Sequence, residues 1–289
     1  MTDDLPAPDA PGHDLPGHDL PADDGIGRGR GAPMMRSVER IAAILTSFTP
    51  ARPILTLVEV AAASGLDKNT ARRLLIALTR TGLVRRDGTE GTYGLDIGVL
   101  KLQPSVIGPR VLRETAAPYL TGLTGETGMT SFFWLPDPGG AVCIERVRAG
   151  GVFLDVPWST PGTVVPINMA SGPRVILAYI GEQARLDWLA RPQPANTRFS
   201  QTEPAALLRA ARRIREQGYE LVANDYFVGL TGIGAPVIDR QGRFVGAVSV
   251  TGRAADFDDR KAQARILAAV RSTASDIGLS LGAAEAALI

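Results

Sequence analysis

The stretch LVEVAAASGLDKNTARRLLIALTRTGLVRRD, residues 57–87, decides how the first part of this chain folds. Thr56, just before it, and Glu59 have the form of a capping box, in which a hydroxyl and a carboxylate satisfy backbone amides at the start of a helix. A short helix is therefore predicted from residue 57 to about Ala63. The next three residues, Ser64-Gly65-Leu66, predict a tight turn.

A second helix is predicted from Lys68 to about Thr81, with Asp67 as its N-cap. Its apolar and polar residues separate onto two faces at helical spacing. The residues that can point into a small core are Ala71, Leu74, Leu75 and Leu78. The residues left toward solvent or a partner are Lys68, Asn69, Arg72, Arg73 and Arg80.

The segments on either side complete a small module. Upstream, Ser37 is expected to cap a helix that Pro50 and Pro53 end. The apolar stripe of that helix consists of Val38, Ile41, Ile44, Leu45 and Phe48. Downstream, short strands around Val84 and Tyr93 flank a turn rich in Gly and Asp and predict a β-hairpin. Helix, helix, tight turn, helix and hairpin is the order of a winged helix-turn-helix, which we predict over residues 35–96.

The charge of the chain is a sum over unlike segments. The formal net charge is only +1, from 31 Lys and Arg against 30 Asp and Glu. Residues 37–95 nevertheless carry eight basic against five acidic side chains, and the positive charge gathers on the second predicted helix of the quoted stretch and on the hairpin. Residues 1–36 have the opposite balance, seven acidic against three basic.

A basic helix after a tight turn is suited to the major groove of DNA, where Arg pairs with guanine and Asn with adenine. The residue types alone are equally consistent with a solvated helix face; the order of the elements favours DNA. Two arginines on the hairpin are expected to contact phosphates or the minor groove. The residues that we predict to contact DNA are Thr56, Lys68, Asn69, Thr70, Arg72, Arg73, Arg85 and Arg86.

Residues 1–34 form an acidic tail rich in Pro and Gly, with seven Asp, six Pro and six Gly in the first 33 residues. Such a composition cannot bury enough apolar surface to offset the entropy of ordering, so we expect disorder. The tail has neither a basic start nor an apolar core segment, and no secretory signal is expected. No apolar run approaches the roughly 20 residues that span a bilayer. A cytoplasmic location is expected.

Histidine and cysteine point away from an enzyme. Both histidines, His13 and His18, lie in the tail, so the folded part has none for acid–base, nucleophilic or metal-binding chemistry. Cys143, the one cysteine, lies in an apolar strand and is expected to be a buried, inert thiol. The Gly-rich residues 229–234 lack the Lys-Ser/Thr of a phosphate loop and are expected to form backbone turns. No catalytic residue, metal site or cofactor is predicted.

A linker region is predicted over residues 97–112, and a second module over residues 113–283. A helix from about Pro109 to Glu126 connects the two. Its predicted strands are Met129–Leu135, Ala141–Val147, Val152–Val156, Tyr219–Val222, Gly234–Asp239 and Phe244–Val250. Its predicted helices are Gly172–Ile180, Gln183–Ala190, Glu203–Gln217 and Asp258–Leu281. Strands mixed with helices on a separate core indicate an α+β domain.

Several stretches resemble the IclR family of bacterial transcriptional regulators. They are SVERIAAIL, the quoted stretch itself, TYGLDIGVLKL, and the most specific one, REQGYELVANDYFVGLTGIGAPVIDRQGRFVGAVSVTG at residues 215–252. The resemblance implies an N-terminal winged helix, a linker helix and a GAF-like α/β domain, assembled as homodimers or homotetramers. It further implies that the second domain binds a small molecule that alters operator binding.

The resemblance also implies an effector pocket. It lies around residues 168–174, at the start of the helix predicted from Gly172. The positions that match the pocket of the family are Leu154, Ser171, Gly172, Val222, Gly232, Ser249 and Thr251. Ser171 and Gly172 fall at the start of a predicted helix, where backbone amides suit a ligand carboxylate.

This chain departs from the family pattern in the pocket. Asn168 stands where the family commonly has His, and Pro173-Arg174 where it commonly has Gly-Lys. Gly232 stands where many members have Cys, and Val222 where some members have an acidic residue. A roomier, less polar pocket and a larger or aromatic acid are therefore expected. The aromatic residues that either line it or pack in the core are Trp134, Trp158, Tyr226 and Phe227.

The sequence therefore predicts a DNA-binding regulator, a repressor or an activator, whose operator binding is modulated by a small organic or aromatic acid. The alternative is a ligand-independent regulator whose second domain only oligomerises.

Overall fold

The computed structural model describes residues 33–102, 105–150 and 160–281. The predicted strand Val152–Val156, with Leu154, Trp158 and the acidic tail up to residue 32, lies outside these ranges. Within them, each helix is too short or too polar to cross a membrane.

The first module is a helical layer with a small sheet. Its elements are α1 (Pro33–Ser47), β1 (Ile54–Thr56), α2 (Leu57–Ser64), α3 (Lys68–Arg80), β2 (Val84–Arg86) and β3 (Thr92–Leu95). Strand β3 pairs antiparallel with β1 on one side and β2 on the other. The buried core that joins the helices to the sheet includes Ile44, Leu55, Val60, Leu75 and Val84.

Local hydrogen bonds confirm the predicted starts of α2 and α3. The capping box is present: the Glu59 amide donates to Thr56 Oγ1 (3.3 Å), and the Thr56 amide donates to Glu59 Oε2 (2.8 Å). Gly65 ends α2 in the left-handed conformation (φ 66°), which glycine adopts without strain. Asp67 Oδ1 then accepts from the amides of Asn69 (3.1 Å) and Thr70 (2.9 Å), so α3 begins as predicted.

Two features of this module differ from the prediction. Helix α1 begins at Pro33, so Ser37 lies inside the helix and does not cap it. Strand β1 was not predicted, because its three residues become a strand only through pairing with β3, with Leu55 opposite Tyr93. Cross-strand partners of this kind are distant in sequence and leave no local pattern.

The second module begins after α4 (Ile97–Leu100) with the long helix α5 (Ile107–Thr127). Its strands are β4 (Thr130–Asp137), β5 (Gly140–Val147), β6 (Val164–Val165), β7 (Glu220–Ala223), β8 (Leu230–Ile238) and β9 (Phe244–Arg253). Its other helices are α6 (Ser171–Tyr179), α7 (Glu182–Leu189), α8 (Pro204–Gln217), a 3₁₀ turn at Ala254–Phe257 and α9 (Arg260–Ser280).

One antiparallel sheet with helices on both faces organises this module. The strand order is β6-β5-β4-β9-β8-β7. Helices α5 and α9 pack on one face around Leu120, Phe133 and Val270. Helices α6 and α8 pack on the other around Trp134, Ile176 and Leu207. The strands therefore present alternate side chains to two separate cores, and the α+β class is confirmed.

Of the Gly-rich residues 229–234, Gly229 lies in a turn as predicted, but the other five do not. From Leu230 onward they belong to β8, which pairs with β7 and β9 along its length. Glycine in a strand permits another backbone to approach closely. A Cβ at Gly234 would lie 3.0–3.1 Å from backbone atoms of Ser171 and Gly172, at the start of α6. The glycine pattern therefore reflects packing of α6 on the sheet.

Replacing Gly278 by Ala is expected to destabilise the chain. Gly278 is buried in α9, and a Cβ there would overlap the backbone carbonyl oxygen of Ile238 on β8. The overlap should cost about 1–3 kcal/mol of unfolding free energy. Gly122→Ala in α5 is the control, because nothing lies within 4 Å of its added Cβ. It should gain up to about 1 kcal/mol from helix propensity. Urea unfolding that shows equal effects for both variants would contradict this packing.

Candidate functional site

Helix α3 presents a polar face at its N-terminal end. The side chains of Lys68, Asn69, Arg72 and Arg73 are exposed, and Thr70 is half-buried. The opposite face, with Ala71, Leu75 and Leu78, is buried in the first module. The predicted separation of the two faces is therefore present, and the exposed face offers donors and cations in the first turns of the helix.

Thr56, which was predicted to contact DNA, caps α2 in this structure. Its hydroxyl lies 2.8 Å from Glu59 Oε2 and also accepts from the Glu59 amide, so both of its bonds serve the cap of α2. Arg52 Nη2 lies 3.0 Å from Glu59 Oε1 on the same surface. Together with the backbone bond of Thr56, these contacts lower the pKa of the Glu59 carboxyl.

The hairpin carries Arg85 and Arg86 as exposed side chains on β2. The guanidinium of Arg86 lies 6.0 Å from the centre of the Tyr93 ring on the neighbouring strand. Asp87 closes the turn by accepting from the amides of Thr89 (2.8 Å) and Glu90 (3.2 Å). The two arginines therefore stand at the base of a turn with a defined backbone.

Sequence reasoning missed Arg40. A concave site of about 300 Å³ lies between α1 and α3, and it is lined by Ser37, Arg40, Thr70, Arg73, Leu74 and Ala77. Arg40 thus joins Arg73 on one surface although the two lie 33 positions apart. The only sequence signal was its place on the polar side of α1.

In the second module, a cavity of about 40 Å³ lies at the start of α6, between β7, β8 and the end of β9. The described residues of its lining include three aliphatic hydroxyls, two aromatic rings, one of them a phenol, and one carboxylate. The residues that line it are Ala170, Ser171, Val222, Asp225, Tyr226, Phe227, Leu230, Thr231, Gly232 and Thr251.

Asp225 is the charged side chain of this cavity, and its role was not predicted. It is buried, and its Oδ2 accepts from the Ala170 amide at 2.9 Å. Burial raises the pKa of the Asp225 carboxyl to about 6, against the opposing effect of Arg174. Asp225 therefore already bonds to an amide at the start of α6, where a ligand carboxylate was expected.

The surrounding backbone holds Asp225 in place. Ala170 has a positive φ of 58°, which is uncommon for a residue other than glycine and costs about 1–3 kcal/mol. Ser200 Oγ donates to the Asp225 carbonyl (2.6 Å), and Thr197 Oγ1 donates to the Asn224 carbonyl (2.7 Å). These bonds tie the loop that carries Asp225 to the segment before α8.

Four of the residues proposed for the pocket come together at this cavity. They are Ser171, Val222, Gly232 and Thr251. Gly172 and Ser249 do not line it. A Cβ at Gly172 would overlap the Trp134 ring, and Ser249 Oγ accepts from Trp134 Nε1 at 2.9 Å. Both residues thus support the contact between α6 and the sheet.

The cavity is not enlarged at Gly232, contrary to the expectation. A Cβ built there would lie 2.8 Å from Ser171 Oγ, so the serine hydroxyl occupies the space that a larger side chain would need. The cavity that the described residues enclose, about 40 Å³, is well below the roughly 150 Å³ that holds a benzene molecule.

Asn168 and Arg174 have structural partners outside the cavity lining. Asn168 Nδ2 donates to the carbonyls of Pro194 (2.9 Å) and Gln201 (2.8 Å). Arg174 Nη2 pairs with the buried Glu220 at 3.2 Å. Of the four aromatic residues considered, Tyr226 and Phe227 line the cavity, Trp134 belongs to the core, and Trp158 lies outside the described residues.

The described residues were predicted to hold neither a metal site nor a reactive thiol, and the relevant side chains are as follows. No three His, Cys, Asp or Glu side chains in these ranges group closely enough to hold a metal ion. Cys143 is buried, and burial raises the pKa of its thiol to about 12. At neutral pH the thiol is therefore protonated and a poor nucleophile.

Asp225 makes the stability of the chain depend on pH. The folded chain holds this proton up to about pH 6, whereas the unfolded chain releases it near the ordinary value of 3.8. Raising the pH between these values therefore favours the unfolded state. Relative to Asp225→Asn, the wild type should lose about 2 kcal/mol of unfolding free energy from pH 4 to pH 7. Urea unfolding of both proteins measures the difference, and a constant difference would contradict the raised pKa.

The family models match both modules. The IclR helix-turn-helix domain matches residues 37–88, and the model described as bacterial transcriptional regulator IclR C-terminal matches residues 105–279, more than half of the chain. HTH-type transcriptional regulator XynR of Escherichia coli (strain K12) is 28% identical over 254 residues, which are 87% of this chain and 98% of that protein.

Solved structures share the fold. An IclR transcriptional regulator from Silicibacter has a TM-score of 0.73 at 21% identity, over 84% of this chain and 94% of that one. An IclR homolog from Microbacterium hydrocarbonoxydans, complexed with 4-hydroxybenzoate, has a TM-score of 0.69 at 21% identity, over 84% of this chain and 98% of that one. Both family models match in order along the chain, which is a member of the IclR family of bacterial transcriptional regulators.

Proposed function

We propose that this regulator reads an operator with α3 and the hairpin, and that a small organic or aromatic acid at the start of α6 changes its operator affinity. The observation that carries the first half is the exposed basic face at the N-terminal end of α3, which a capped turn holds at a fixed angle to α2. N-terminal residues of a recognition helix are the ones that reach base edges.

Each side chain of this surface has a proposed role. Arg72, Arg73 and Asn69 read bases, because their donors and acceptors match guanine and adenine edges. Lys68 and Thr70 contact phosphates near the helix start. Arg85 and Arg86 contact the backbone or the minor groove from the hairpin, with Arg40 as an added cation beside Arg73. Thr56 contributes by fixing α2 through its cap, and a DNA contact by its hydroxyl would be a second role.

Replacing Arg72 and Arg73 by Ala should lower operator affinity at least tenfold, because each substitution removes a charged group that binds DNA. The salt dependence of binding should also weaken, by up to about one unit of slope for each arginine, because a cation lost from the groove lowers the number of counterions that binding releases from the duplex. Arg80→Ala, at the exposed far end of α3, is the matched control and should stay within about twofold of wild type. Fluorescence anisotropy with the upstream DNA at several salt concentrations measures both quantities. Unchanged affinity and slope in the double variant would reject this surface.

The chemistry of the cavity supports an acidic or hydroxylated ligand. Ser171, Thr231 and Thr251 offer hydroxyls, and Tyr226 and Phe227 offer aromatic walls. The start of α6 favours negative charge, and the Asp225 carboxyl that already accepts from the Ala170 amide there is held protonated up to about pH 6. The homolog from Microbacterium hydrocarbonoxydans was solved with 4-hydroxybenzoate, so a ring with polar ends is a fitting probe.

Size decides how such a ligand enters. A volume of about 40 Å³ is too small for an aromatic ring, so the walls have to move outward when the ligand binds. Phe227 is 42% exposed and packs edge-on against Tyr226, with the ring centres 5.5 Å apart. We propose that these two rings swing aside and then cover the ligand.

Adding 4-hydroxybenzoate should raise the melting temperature of the full chain and change its operator affinity. Gly232→Val should abolish both effects, because a side chain there displaces the Ser171 hydroxyl into the cavity. Val228→Ala is the control, since Val228 is 68% exposed and lies outside the lining. Benzoate and short aliphatic acids complete the panel. If no acid alters melting temperature or operator affinity, the second domain acts by oligomerisation alone.

A further inference from the structure

A second concave site lies at the other end of α6, away from the cavity of the proposed effector. It has a volume of about 160 Å³ and is formed by the end of α6, one face of α7 and one face of α8. Three arginines and a single carboxylate supply its charge. The residues that line it are Ala178, Glu182, Arg185, Leu186, Leu208, Ala211, Arg212 and Arg215.

Backbone carbonyls at the end of α6 hold two of these arginines in position. Arg185 Nη1 donates to the carbonyls of Ala178 (3.0 Å) and Ile180 (3.1 Å), and Arg215 Nε donates to the Ala178 carbonyl at 2.6 Å. The Arg215 guanidinium also lies 5.6 Å from the centre of the Tyr179 ring. The two guanidinium planes are therefore fixed before any ligand arrives, which lowers the entropy cost of binding.

The positive charge at this site exceeds the negative charge that surrounds it. The end of α6 carries about half a negative charge, and Glu182 adds one, against three guanidinium groups. None of the three forms an ion pair with a carboxylate of the described residues, in contrast to Arg174 and Arg213 on Glu220. Burial and the charge of Arg215 both lower the pKa of Arg185. An anion would relieve this repulsion.

Arg212 is the residue that the fold itself does not explain. It lies one turn before Arg215 on α8, its side chain is exposed at the rim, and it caps no helix. Its position adds a third guanidinium to a lining that also contains the apolar side chains of Leu186 and Leu208. Planar guanidiniums bind phosphate oxygens two at a time, which a single lysine ammonium cannot do.

We propose that this site binds a phosphate group, either as free phosphate or on a small phosphorylated molecule. A volume of about 160 Å³ is comparable to the roughly 150 Å³ that holds benzene, so the group can carry a few carbon atoms beside the two leucines. The site shares α6 with the proposed effector cavity but none of its lining residues. It therefore stands whether or not an acid binds at the start of α6.

Titration calorimetry on the full chain tests the site with inorganic phosphate and with ethyl phosphate, which separate free phosphate from an ester. Wild type should bind at least one of them saturably. Arg212→Ala should weaken that binding at least tenfold, because it removes a charged contact. Arg212→Lys should restore it only in part, since the ammonium makes no paired contact. Arg209→Ala, three residues earlier and exposed on the same helix, is the matched control and should bind as wild type does.

The basic face of α3 is the competing anion site in the same molecule. The double variant Arg72→Ala, Arg73→Ala should therefore retain the phosphate binding of wild type. Binding that this double variant abolishes, binding that Arg212→Ala leaves unchanged, or no saturable binding of either probe would each overturn the proposal.

Discussion

The contact between the first turn of α6 and the middle of the sheet is the constraint on which the second module depends. Glycines at 172 and 234 allow the backbone of the helix to lie directly against Trp134 and β8. Trp134 is in turn fixed by Ser249 on β9. This contact sets the position of Ser171, which fills the space beside Gly232, and hence the shape of the small cavity. A Cβ at Gly172 would overlap the Trp134 ring, and one at Gly234 would press on the backbone of α6, so either would disturb this contact and the cavity wall.

Local chemistry explains why so much of the first module could be predicted. A capping box, a left-handed glycine and an aspartate cap act over three or four residues, so their pattern is complete within the sequence that contains them. Thr56, Gly65 and Asp67 behave in this structure as that pattern requires. Strands β1 and β6 could not be found in the same way, because each has two or three residues and exists only through a distant partner.

The cavity shows the same limit for functional residues. Ser171, Val222 and Thr251 were placed by resemblance, which carries three-dimensional information that a single sequence lacks. Asp225 had no such guide, because a carboxylate in a loop is usually solvated. Only the fold reveals that this one is buried and bonded to the Ala170 amide. Gly172 and Ser249 lie close by in space yet serve packing, because both contact the Trp134 ring: Gly172 lies against it and Ser249 Oγ accepts from its Nε1.

Asp225 also makes ligand binding at the proposed effector cavity depend on pH. A carboxylate that enters the cavity brings a second negative charge beside a group that loses its own proton near pH 6. The two charges repel, so the bound state holds the Asp225 proton more tightly than the free state does. Binding of the proposed ligand would then be coupled to proton uptake by Asp225, so by linkage its affinity would rise as the pH falls toward the pKa of that carboxyl.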